Sequence, residues 1–71
     1  MNTITIKTSE IKSDSIEHII EEIASDYDLM EKARIIADDC NWGIADAIEA
    51  IASHISINDE DYVHKIGARR K

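Results

Sequence analysis

Apolar positions along the chain follow two periods, and the change between them divides it. Residues 3–8 alternate polar and apolar, with Ile4 and Ile6 on one face of a strand and Thr3, Thr5 and Lys7 on the other. Further along, Ile16, Ile19, Ile20 and Ile23 recur at helical spacing, Tyr27 extends the stripe, and Glu17, His18, Glu21 and Glu22 cover the opposite face. This predicts a first helix over 15–25, opened by a capping-box pattern in which Asp14 is followed three residues later by Glu17. Ser25-Asp26-Tyr27-Asp28 is a short polar connection, and either Asp suits the cap of a second helix. Leu29, Ala33, Ile36, Ala37 and Cys40, bordered by Met30, predict that helix over 29–40. Asn41-Trp42-Gly43 breaks the period, since Asn and Gly both tolerate positive φ. Ile44, Ala47, Ile48, Ile51, Ala52 and Ile55 then predict a third helix over 44–55.

Beyond it, Ser56-Ile57-Asn58 reads as a turn. The acids Asp59, Glu60 and Asp61 suit the positive end of a helix dipole. Tyr62, Val63 and Ile66 would seat a short fourth helix ended by Gly67, followed by the basic tail Ala68-Arg69-Arg70-Lys71. The expected fold class is therefore all-α: one domain over 1–71, with an N-terminal extended arm or strand (1–13), a compact three-helix core (14–55), and a short helix and tail (56–71). A lone strand leaves its backbone groups unpaired, so residues 3–8 must form a homodimer, join a partner's sheet, or remain a loose arm.

Composition sharpens this picture. Fifteen Ile and eight Ala stand against a single Leu, Leu29. Branched Ile is a modest helix former, so helices built from it need tertiary packing, and Ala beside it lets helix axes approach closely. The formal net charge of -7 opposes direct nucleic-acid binding, which needs a positive surface to displace counterions. No apolar run reaches the ~20 residues of a membrane span. The start, Met1-Asn2-Thr3-Ile4, lacks the pattern of a signal peptide. A single Cys forms no internal bridge, which points to a reducing cytoplasm.

Candidate chemistry is sparse. Ordering 71 residues costs on the order of 100 kcal/mol of conformational entropy, so nearly all apolar side chains are needed in a core and little chain is left to wall off a reaction chamber. The paired carboxylates Glu21-Glu22, Asp38-Asp39 and Asp59 to Asp61 fall on predicted solvent faces, away from the desolvated setting that acid–base catalysis requires. His18, His54 and His64 lie on different segments and Cys40 has no companion thiol, so no metal site is expected. With only Gly43 and Gly67, no phosphate-cradling loop exists, and no cofactor is expected.

Cys40-Asn41-Trp42-Gly43-Ile44-Ala45-Asp46-Ala47-Ile48-Glu49-Ala50-Ile51 resembles the second turn and third helix of ubiquitin-associated (UBA) and CUE-type domains, with Asn41, Ile44, Ala47, Ile48, Glu49 and Ile51 in the family's places. That resemblance, over about residues 15–55, implies a compact three-helix domain that binds another protein. The family's Met-Gly-Phe-like loop, which usually carries ubiquitin binding, is replaced by Ser25-Asp26-Tyr27. Thr3-Ile4-Thr5-Ile6-Lys7 followed by helices also resembles ribbon-helix-helix repressors and antitoxins, which implies a DNA-reading strand dimer.

The leading expectation is a non-catalytic module that regulates or inhibits a protein partner. Its candidate contacts are Tyr27, Leu29 and Met30 at the first turn and Trp42 at the second. A second expectation is an acidic decoy, of the kind small phage-encoded inhibitors use, in which Glu17, Glu21, Asp46 and Glu49 imitate phosphates toward a DNA- or RNA-binding protein. A repressor or antitoxin is the third.

Overall fold

The computed structural model describes residues 3–67. Strand β1 (Thr3–Ile6) leads through a 3₁₀ turn (Thr8–Glu10) to helices α1 (Ile16–Ser25), α2 (Tyr27–Cys40) and α3 (Ile44–Asn58), and the chain returns in strand β2 (Tyr62–Lys65). β1 and β2 pair antiparallel, with Ile4 opposite His64 and Ile6 opposite Tyr62. The fold is therefore not all-α. The segment expected to form a fourth helix is a strand, and it supplies β1 with a partner from its own chain. The expected tail, residues 68–71, and residues 1–2 lie outside the described residues.

Local chemistry permits the strand. Asp59 adopts the left-handed conformation (φ 54°, ψ 41°), donates its amide to the Ile55 carbonyl, and closes α3 rather than opening a new helix. Tyr62 and Val63 are good strand formers. The alternation of β2 then turns Tyr62 and His64 inward with Ile4 and Ile6, while Val63 and Lys65 face solvent beside Thr3. α3 also runs through the expected turn at Ser56-Ile57-Asn58, with Ile57 on its outer side at 72% exposure.

The three Ile-and-Ala seams meet in one interior. Ile19 and Ile23 from α1, Leu29, Ala33 and Ile36 from α2, and Ile48, Ile51, Ala52 and Ile55 from α3 are buried together with Ile6 of β1. Each fully buried Ile contributes about 1.5–3 kcal/mol of transfer free energy. Ala33, Ala47 and Ala52, all wholly buried, keep the helix axes close. Cys40 and Met30 pack at the border, and the cysteine is free and partly buried.

Two details of the helix starts differ from expectation. α1 is capped by Ser15, not Asp14: the Ser15 hydroxyl accepts from the His18 amide at 3.3 Å, whereas the Asp14 carbonyl accepts from the Ser56 hydroxyl at 3.1 Å. Asp26 both ends α1 and caps α2, its carboxylate accepting from the Leu29 amide at 3.0 Å. The chain turns at that residue, so Tyr27 leaves the α1 stripe and stands 81% exposed.

The arm before α1 is held by carboxylates. Glu22 accepts from the Lys12 amide at 2.9 Å and the Ser13 amide at 3.1 Å. Burial acts to raise the Glu22 carboxyl, but the Lys12 backbone bond, the Ser13 bonds and the Lys12 charge outweigh it and hold the group below the usual carboxylate range. Asp61 accepts from the Thr8 amide at 2.8 Å, tying the start of the 3₁₀ turn to the approach to β2.

Candidate functional site

The α2–α3 turn takes its shape from three consecutive residues. Asn41 adopts the left-handed conformation (φ 61°, ψ 40°), which Asn tolerates better than most side chains. Its amide donates to the Asp38 carbonyl at 3.3 Å, and the Trp42 amide donates to the Ala37 carbonyl at 2.8 Å. This bond pair is a Schellman motif, which seats the residue after the left-handed position against the end of its helix. It fixes the backbone of Trp42. Gly43 is extended (φ -69°, ψ 154°), and its carbonyl accepts from the Ala47 amide at 3.0 Å to start α3. No side chain caps α3, and the Asp46 carboxylate lies in its first turn, 3.6 Å from the position a Cβ on Gly43 would take. An acid there complements the helix dipole.

The turn therefore presents Trp42 and Ile44 on either side of Gly43, at 37% and 38% exposure, with the exposed carboxylates of Asp38 and Asp46 before and after them. Neither carboxylate takes part in the described ion pairs, which are Lys32–Glu10 and His64–Asp39.

The other expected contact residues are dispersed. Tyr27 begins α2 and Trp42 follows its end, so the two aromatics are separated by the length of the helix, about 20 Å at 1.5 Å per residue. They stand at opposite ends of α2. Leu29 is buried in the core at 3% exposure and offers no free surface, while Met30 packs partly buried against that core. The acids Glu17 and Glu21 on α1, and Asp46 and Glu49 on α3, are exposed. Glu21 joins Glu10, Glu22 and Asp26 around an open depression of about 570 Å³, whose rim also carries Lys12 and His18.

One constellation was not expected. Asp39, which the sequence places on a solvent face, is buried, and its Oδ2 lies 2.8 Å from Nε2 of buried His64. Both Asp39 oxygens also accept from the Gly67 amide, at 3.1 and 3.0 Å. Gly67 sits at φ 82°, a left-handed value that favours glycine, with open space around it. The carboxylate thus fastens the end of β2 to the end of α2. Two signals pointed to it. An acid in the last turn of a helix opposes the dipole and needs a local reason, and His64 shares the alternation of Tyr62.

Among the described residues, no group of three or more His, Cys, Asp or Glu is arranged to hold a metal ion, and no helix is long and apolar enough to cross a membrane. Comparison with family models, curated proteins and solved structures finds no match to this chain.

Proposed function

We propose that the chain is a small non-catalytic module that binds and regulates a protein partner through the α2–α3 turn. The observation that carries this reading is the pairing of Trp42 with Ile44, each more than a third exposed, on a backbone fixed by the Schellman motif and the start of α3. A rigid, part-exposed aromatic beside an aliphatic is the kind of anchor that dominates protein interfaces, and its fixed backbone lowers the ordering cost of binding. The buried Asp39–His64 pair is engaged in holding the backbone of Gly67, which favours a structural role for it.

The test uses the tagged full chain to capture its partner and compares single variants. Trp42→Ala weakens capture about tenfold or more, as hot-spot truncations do, while Tyr27→Ala leaves it unchanged. Equal capture by Trp42→Ala and the native chain rejects the turn as the docking face.

A second reading, the acidic decoy, is favoured by the depression bordered by Glu10, Glu21, Glu22 and Asp26. Affinity would then fall steeply with salt. It would also fall on Glu21→Gln and survive Trp42→Ala. The homodimer and repressor readings are no longer required by an unpaired strand, since β1 pairs with β2, although a two-stranded sheet still has an open edge for a second copy.

A further inference from the structure

The charge around the turn indicates what kind of partner segment fits it. Asp38, Asp46 and Glu49, on the helix ends that meet at the turn, are exposed, and no Lys or Arg occurs between Ile35 and His64. Trp42 and Ile44 lie within this stretch, and the Asp46 carboxylate is folded toward Gly43 between them. No described ion pair engages Asp46 or Asp38.

We infer that the occupant of this face is an arginine-bearing segment of a partner protein, with an aliphatic neighbour for Ile44. The inference rests on the reading of the turn as a docking face. A guanidinium can stack on the indole of Trp42 while its N–H groups donate to the Asp46 carboxylate, so one side chain meets both features of the turn. Asp38, one helical turn before Trp42, adds attraction for a second cation. A nucleic acid or an anionic membrane meets like charge here and is disfavoured. An apolar segment without a cation leaves the two carboxylates partly desolvated and unpaired. Lysine is a poorer fit, because its ammonium is a point charge without a planar face to stack.

The experiment titrates the full-length, ¹⁵N-labelled chain with the blocked pentapeptide Leu-Arg-Ala-Arg-Leu and with its Lys-for-Arg counterpart. The expected result is saturable shifts at the Trp42 indole N–H and the amides of Gly43, Ile44 and Asp46, with the Arg peptide binding more tightly. Trp42→Ala and Asp46→Asn each weaken the Arg peptide about tenfold, the scale of a desolvated cation–π or charge-assisted contact. Trp42→Leu keeps an apolar side chain at the helix end and removes the aromatic face, so it serves if the Ala variant does not fold. It gives the same weakening.

Four results overturn the inference: no shifts; equal binding of the Arg and Lys peptides; shifts as large around Glu10 and Glu21 as at the turn, which is diffuse attraction; or the same shifts on raising protein concentration alone, which makes a second copy the occupant. If capture of the natural partner depends on Trp42 while the Arg peptide is inert, the docking face stands and the arginine assignment fails. If neither depends on Trp42, both fail.

Discussion

The largest side chains wholly withdrawn from solvent are Ile6, Ile19, Ile23, Ile36 and Ile51; four belong to the helices and one to the sheet. The helical interior is thus built from many interchangeable apolar contacts. The sheet contributes Ile6, with Ile4 and Tyr62 packed partly buried against the same interior, and adds directed polar contacts: Asp39 with His64 and Gly67, Asp61 with the Thr8 amide, and Lys32 with the Thr5 carbonyl. Apolar burial is non-directional, and its loss costs in proportion to the area and the cavity left behind. A buried polar contact has one geometry and leaves its partner unsatisfied when broken. The same small domain therefore combines a region held by summed apolar packing with one fastened in addition by single directed contacts.

The sharpest way to break this comparison is at the centre of the apolar region. Ile36→Ala is expected to cost about 2–5 kcal/mol, the transfer term plus a cavity that the packed helices fill incompletely. Urea unfolding followed by helix signal and by Trp42 fluorescence should shift together, because the helices share one interior. A loss below about 0.5 kcal/mol, the range of surface substitutions, would show that the interior does not hold the fold as described.

The polar latch comes next in size. Asp39→Ala removes the acceptor for His64 and Gly67, at an expected cost of about 1–3 kcal/mol for the polar groups left buried without a partner. The loss should be local first: hydrogen exchange at the β1 and β2 amides accelerates more than at α3. Replacing both partners, Asp39→Leu with His64→Leu, should recover part of that stability, since an apolar pair leaves the Gly67 amide as the one group of the three without its partner. If the double variant is as unstable as Asp39→Ala alone, the pair is not the feature that holds β2 to α2.

This division also decides what could be read in the sequence. The three helices were legible because a periodic apolar pattern encodes burial locally. Ile19, Ile23, Ala33, Ile36, Ala47, Ile48, Ile51 and Ile55 all lie where their spacing places them. β2 was not, because four residues carry too little periodicity, and the acids before them imitate a helix start. What selects the strand is a partner 53 or more residues away, in the pairing with β1 and the Asp61–Thr8 bond, and no local window contains it. Asp39 was misplaced for the same reason: its burial is set by His64 and Gly67, 25 and 28 residues downstream. At the candidate site, Trp42 was singled out by its turn, and its distance from Tyr27 follows from the two turns lying at either end of α2.

The smallest expected effect concerns a second polar fastening, that of the arm to α1. The Glu22 carboxyl is held below its usual range in the folded chain, against burial, by the amides of Lys12 and Ser13, the Ser13 side chain and the Lys12 charge. A carboxyl whose folded pKa lies below its unfolded one stabilises the fold in its ionised form. That contribution is complete above the unfolded value and disappears as pH falls through the depressed folded value. Glu22→Gln should therefore be less stable than the native chain at neutral pH, and the two urea midpoints should converge on acidification. The gap is expected to be smaller than for Asp39→Ala, since Glu22 is partly solvated and its contacts are open to screening. A gap that persists unchanged at acid pH would assign the Glu22 contribution to packing of its stem along the arm rather than to its charge. The arm would then belong with the apolar interior and not with the polar sheet.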